Sequence, residues 1–140
     1  MTARDVSLLV VEDRIVMQKI IRRLLVQLGF GAIDTAMNGQ EALGLIHAKQ
    51  YDLILSDWNM DEMSGFELLK AVRSDPRSAS IPFVLITAEA KSANITAAKQ
   101  AGASGYLIKP FKLADLKSVL ETLLGPLDTV PHLGSRREAR

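Results

Sequence analysis

Residues 51–72 read YDLILSDWNMDEMSGFELLKAV, and they contain a complete strand-to-helix unit. Leu53, Ile54 and Leu55 form an apolar run too short for a helix and too continuous for a strand with one wet face, which predicts a buried parallel strand. The run closes on the polar pair Ser56-Asp57. Ser64 and Glu67 then have capping-box spacing, and Phe66, Leu69 and Val72 follow at helical intervals, so a helix begins at this point.

Outward from this unit the same alternation recurs in both directions. Leu8–Val11, Phe83–Ile86 and Tyr106–Ile108 are further short apolar runs and are expected to be buried parallel strands. Ala32–Ala36 is weaker because Asp34 and Thr35 dilute it, and after Gly29-Phe30-Gly31 it reads as an edge strand. Helical stripes fall between the runs. Ile20, Ile21, Leu24 and Leu28 precede a terminating Gly29, and Ala42, Leu43 and Ile46 follow a capping Asn38. Ile95, Ala98 and Ala101 end at Gly102, and Leu113, Leu116, Leu120, Leu123 and Leu124 end at Gly125. Five strands alternating with five helices are too few for an eight-stranded barrel, which leaves an open, doubly wound α/β sheet.

The rest of the composition narrows the function. The chain has 140 residues, 48% of them hydrophobic, with seventeen Lys plus Arg against sixteen Asp plus Glu, enough for one globular domain. No apolar run exceeds four residues, so no membrane span is expected, and the absence of cysteine removes disulfides and thiolate metal sites. Without an apolar leader at residues 1–6, a cytoplasmic protein is expected. Residues 1–125 carry equal numbers of acidic and basic groups, which argues against a nucleic-acid surface. After Gly125 the apolar pattern stops, and residues 126–140 are expected to be a flexible tail or linker.

In open α/β sheets ligands bind beyond the carboxyl ends of the strands. The residues that close the runs are Glu12-Asp13, Ser56-Asp57, Thr87-Ala88 and Lys109-Pro110. Carboxylates sharing one crevice repel unless a cation sits among them, and an oxygen-only donor set favours magnesium over zinc. Lys109 and Thr87 suit phosphoryl oxygens. Neither glycine-rich nucleotide motif is present, so an aspartate beside magnesium and lysine reads as the acceptor of a phosphoryl group, with Asp57 the candidate.

Glu12-Asp13, Asp57, Thr87-Ala88 and Lys109-Pro110-Phe111, taken in order, resemble the signature of response-regulator receiver domains. Ser56–Met60, Thr87–Lys91 and Gln100–Tyr106 are most similar to single-domain chemotaxis regulators. The resemblance covers residues 5–125. It implies a five-stranded parallel, flavodoxin-like sheet of order 2-1-3-4-5, with Asp57 phosphorylated by a sensor histidine kinase or by a small donor such as acetyl phosphate. It further implies that Asp13, Asp57 and the backbone carbonyl of Asn59 hold Mg2+, with Glu12 acting through a water, while Lys109 pairs with phosphoryl oxygens. Thr87 would swing toward the phosphoryl group and draw Tyr106 inward on the face made by the fourth helix, fifth strand and fifth helix. In these relatives the partner is the flagellar motor switch protein, which makes Ala90, Ile95, Ala103, Tyr106 and Ile108 candidate contacts. Asn59 and Glu89 match positions that tune slow self-dephosphorylation. A monomeric signalling domain rather than an enzyme is implied.

Two residues depart from the pattern. Asp61 stands where most receivers have proline, which frees φ and adds negative charge beside the metal site. Arg14 replaces an aromatic residue and is expected to compete weakly with magnesium. A magnesium phosphohydrolase of the haloacid-dehalogenase type is the alternative chemistry, but Glu12-Asp13-Arg14 lacks the D-x-D motif such enzymes carry after strand one. A receiver cut from a longer regulator is the other alternative. His47 and His132 are expected to be solvated, and Trp58 to be a loop residue beside the site.

Overall fold

The computed structural model describes residues 3–127. After a 3-10 turn at Ala3–Asp5, the elements are β1 Ser7–Val11, α1 Ile15–Gln27, β2 Ala32–Ala36, α2 Gly39–Ala48 and β3 Leu53–Asp57. They continue as α3 Gly65–Ser74, β4 Phe83–Thr87, α4 Ser92–Gln100, β5 Gly105–Ile108 and α5 Leu113–Leu124. All strand pairs are parallel, and the order is β2-β1-β3-β4-β5, as the resemblance implies.

Strand side chains alternate between two faces, and each face has its own core. Leu8, Val10, Leu53, Leu55, Val84 and Ile86 pack with Ile21 and Leu25 of α1 and Leu116 and Leu120 of α5. Leu9, Val11, Ile54, Phe83 and Leu85 pack with Ala42 of α2, Leu68 of α3 and Ala98 of α4. Such two-sided burial is why the central runs are continuously apolar. The expected caps form. Asn38 accepts from the Glu41 amide, and Ser64 and Glu67 make a reciprocal capping box that fixes the start of α3.

Three expectations need correction. Tyr106–Ile108 is not buried throughout: in β5, at the sheet's second edge, only Leu107 is buried and Ile108 is 38% exposed. In α1 the buried line runs through Gln18, Ile21 and Leu25, and Ile20, rotated about 100° from Ile21, is exposed. Order also continues past Gly125: Leu127 joins the α1/α5 core, and its amide donates to Glu121 Oε2 at 3.0 Å. The rest of the expected tail, from 128 on, and His132 lie outside the described residues.

Candidate functional site

Parallel register brings the polar strand ends to one rim. Val11 pairs with Ser56, Asp57 with Ile86, and Thr87 with Ile108, so the residues that close β1, β3, β4 and β5 emerge together. Backbone bonds lock this rim: Glu12 N donates to Ala36 O at 3.0 Å, Trp58 N to Ile86 O at 2.8 Å and Lys109 N to Thr87 O at 2.7 Å. Asp13, Asp57, Asn59 and Lys109 line one cavity of about 360 Å³, together with Arg14 and Ala88.

Lys109 links two carboxylates at this rim. Lys109 Nζ donates to Asp57 Oδ1 and stands 3.4 Å from Glu12 Oε1. Glu12 is fully buried and Asp57 nearly so. Burial pushes the Glu12 carboxyl above its ordinary value; the Asp57 charge adds to this, while the Arg14 amide and the Lys109 charge oppose it. Asp13 is partly exposed and accepts from the Asp61 amide at 3.4 Å, a donor that a proline there would lack.

Two carboxylates and a neighbouring backbone on an open cavity fit Mg2+, which binds through one or two carboxylates and retains waters. Among the described residues no group of three or more His, Cys, Asp or Glu forms a closed metal cage, and magnesium does not need one.

Beside it, Trp58, Asn59, Thr87, Glu89, Lys91 and Asn94 line a second cavity of about 240 Å³. Asn59 belongs to both and joins the Asp57 side to the Thr87 side. The Thr87 side chain is buried, and its Oγ1 accepts from the Glu89 amide at 3.0 Å. Tyr106 is half-buried, its ring 6.2 Å from that of Trp58 in an edge arrangement, and burial raises its phenol pKa. Trp58 itself stacks on Phe66 at 5.2 Å. The remaining candidate contacts do not share the cavities: Ala90 and Ile108 are exposed, and Ile95 and Ala103 are half-buried around α4 and β5. His47 is exposed, with Nε2 3.4 Å from Asp75 Oδ2.

Two residues that hold the site are absent from the sequence reading. A Cβ on Gly65 would fall 2.1 Å from the carbonyl oxygen of Asp57, so the first residue of α3 must be glycine for the helix to sit against the strand end. Gln18, buried on α1, donates to the carbonyls of Glu12 at 3.2 Å and Ala36 at 3.3 Å. Its signal was a polar residue on the core face of a helix.

The comparisons agree with this geometry. Residues 8–121 match the family model described as the response regulator receiver domain. The chain is 42% identical over 117 residues to the chemotaxis protein CheY of Pseudomonas aeruginosa, across 84% of this chain and 94% of that one. It is 39% identical over 120 residues to CheY-3 of Vibrio cholerae, across 86% and 92%. Among solved structures it is similar to Vibrio cholerae CheY4, with a TM-score of 0.80 and 34% identity over 85% of this chain and 98% of that one. It is also similar to the receiver domain of the sensor histidine kinase PA1611 of Pseudomonas aeruginosa, solved with magnesium in the active-site cleft, with a TM-score of 0.78 and 30% identity over 86% and 98%. With two thirds or more of each relative spanned and the strand-end residues on one rim, the chain belongs to the response regulator receiver domain family.

Proposed function

We propose that this receiver is a chemotaxis-type phosphoacceptor: a sensor histidine kinase transfers a phosphoryl group to Asp57, and the α4-β5-α5 face then changes its affinity for a flagellar motor switch protein. The observation that carries the reading is the Asp57 carboxylate at the floor of an open cavity with Lys109 on one of its oxygens. In the transfer, a carboxylate oxygen of Asp57 forms the new bond to phosphorus as the phosphorus–nitrogen bond to the kinase histidine breaks, and that imidazole keeps the electron pair. Lys109 supplies a fixed positive charge for the phosphoryl oxygens.

Asp13, Asp57 and the Asn59 carbonyl would hold Mg2+, with Glu12 behind them; the ion, when bound, neutralises phosphoryl charge. Thr87 reports the phosphoryl group to Tyr106, and Ala90, Ile95, Ala103, Tyr106 and Ile108 make the partner face. Asn59 and Glu89 border the route of water to the phosphoryl group and set a slow self-dephosphorylation. The domain, residues 5–125, acts as a cytoplasmic monomer. The likeness to CheY proteins of two organisms supports the chemotaxis assignment.

The test is labelling by acetyl phosphate in the presence of MgCl2, read by intact mass. Wild type gains one phosphoryl group and Asp57→Ala gains none; labelling of the variant would remove Asp57 from the role.

A further inference from the structure

The cavity holds a cation that phosphoryl acceptance does not require. Arg14 lines it with Asp13, Asp57 and Lys109, and its Nε lies 3.7 Å from Glu12 Oε2. The Arg14 backbone amide donates to that same oxygen at 3.0 Å. The other oxygen of Glu12 faces Lys109 at 3.4 Å. Both oxygens of a carboxylate with no solvent exposure therefore already have cationic groups of this chain beside them.

We propose that Arg14 is a resident counter-ion of the acidic pocket, which a divalent cation must displace from Glu12, and that this residue therefore sets the cation affinity of the site. The inference rests on the magnesium-binding reading above. Glu12, Asp13 and Asp57 carry three negative charges; Lys109 and Arg14 together leave a single excess negative charge, whereas Lys109 alone would leave two. A pocket with less excess charge draws a divalent ion less strongly.

The exposures of the two side chains leave room for such an exchange. The Arg14 side chain is 62% exposed while Glu12 is 0% exposed, so the guanidinium can rotate into solvent with Glu12 left in place. Because the guanidinium is largely in water, its effect is modest, about two- to fivefold in metal Kd, and is screened by salt.

The experiment is a calorimetric MgCl2 titration of the full chain, with Trp58 fluorescence as a second readout, on wild type, Arg14→Gln and Arg14→Lys at low and high ionic strength. At low salt Arg14→Gln is expected to bind magnesium about two- to fivefold more tightly than wild type, and Arg14→Lys to stay near the wild-type value. The Arg14→Gln advantage should shrink at high salt. Equal or weaker binding by Arg14→Gln overturns the inference and leaves the metal site standing. Equal tightening in Arg14→Lys also overturns it, since shape rather than charge would then be responsible. If neither wild type nor Arg14→Gln takes up magnesium, the metal reading itself falls and the inference falls with it.

Discussion

Tyr106 is tied to the loop that follows β4: its phenol donates to the carbonyl oxygen of Glu89 at 2.9 Å, while the amide of the same residue donates to Thr87 Oγ1 at 3.0 Å. Glu89 is thus held on one side by the candidate switch hydroxyl and on the other by the candidate switch ring. On the proposed reading, a phosphoryl group that recruited Thr87 Oγ1 would draw it from the Glu89 amide and so free one side of the residue that holds Tyr106.

Thr87→Ala should therefore leave labelling of Asp57 intact but uncouple the loop. Amide hydrogen exchange at residues 88–91 is expected to change on adding acetyl phosphate and MgCl2 in wild type and to stay flat in the variant. A phosphodonor response of equal size in both would end the switch role of Thr87.

Lys109 is 14% exposed and lies between two carboxylates that water hardly reaches. Lys109→Met should lower unfolding stability by about 3 kcal/mol, because removing one member of a buried ion pair leaves charge uncompensated. MgCl2 should restore part of the loss, since a cation can take up the abandoned carboxylates. Urea denaturation with and without magnesium measures both effects.

At Gly65 a methyl group has nowhere to go, since it would overlap the carbonyl of Asp57 and press on Trp58 Cα at 3.0 Å. Gly65→Ala is expected to destabilise the protein by about 1–3 kcal/mol and to slow phosphoryl uptake in the molecules that remain folded. Thermal melts and labelling rates taken together would show whether the strand end has moved; unchanged labelling would mean that α3 yields instead.

Burial raises the Glu12 carboxyl pKa, so the folded protein holds that proton more tightly than the unfolded chain does. The sign follows from linkage: stability falls as pH rises from the ordinary glutamate value through the raised folded value, and is level above it. Without divalent ions, Glu12→Gln should melt higher than wild type at neutral pH, with the gap closing on acidification below the ordinary glutamate range. A gap independent of pH would assign the difference to packing.

Much of this could be read from residues alone, for a physical reason. Central parallel strands are buried on both faces, so Leu8–Val11 and Phe83–Ile86 declare themselves by continuous apolarity. Ser64 and Glu67 declare a helix start because capping chemistry is local. The edge position of β5 was not legible in its own residues, since a short apolar run such as Tyr106–Ile108 reads alike at an edge or in the middle; only the family resemblance, with its order 2-1-3-4-5, placed it there. Gly65 was silent because its requirement comes from an approach to Asp57, eight positions earlier in sequence. Polar groups such as Glu12 and Lys109 were legible as strand ends, but their mutual pairing is a tertiary fact.

The two cores meet the proposed partner face differently. α4 contributes Ala98 to one side of the sheet, α5 contributes Leu116 and Leu120 to the other, and between them runs only the edge strand β5. A ligand protein seated on α4, β5 and α5 would act as a splint across a seam, bridging the helices of the two cores that the sheet separates. Its grip would then be felt mechanically on both sides at once, so complex formation should stiffen α1 and α3 alike, although neither lies on the surface it touches.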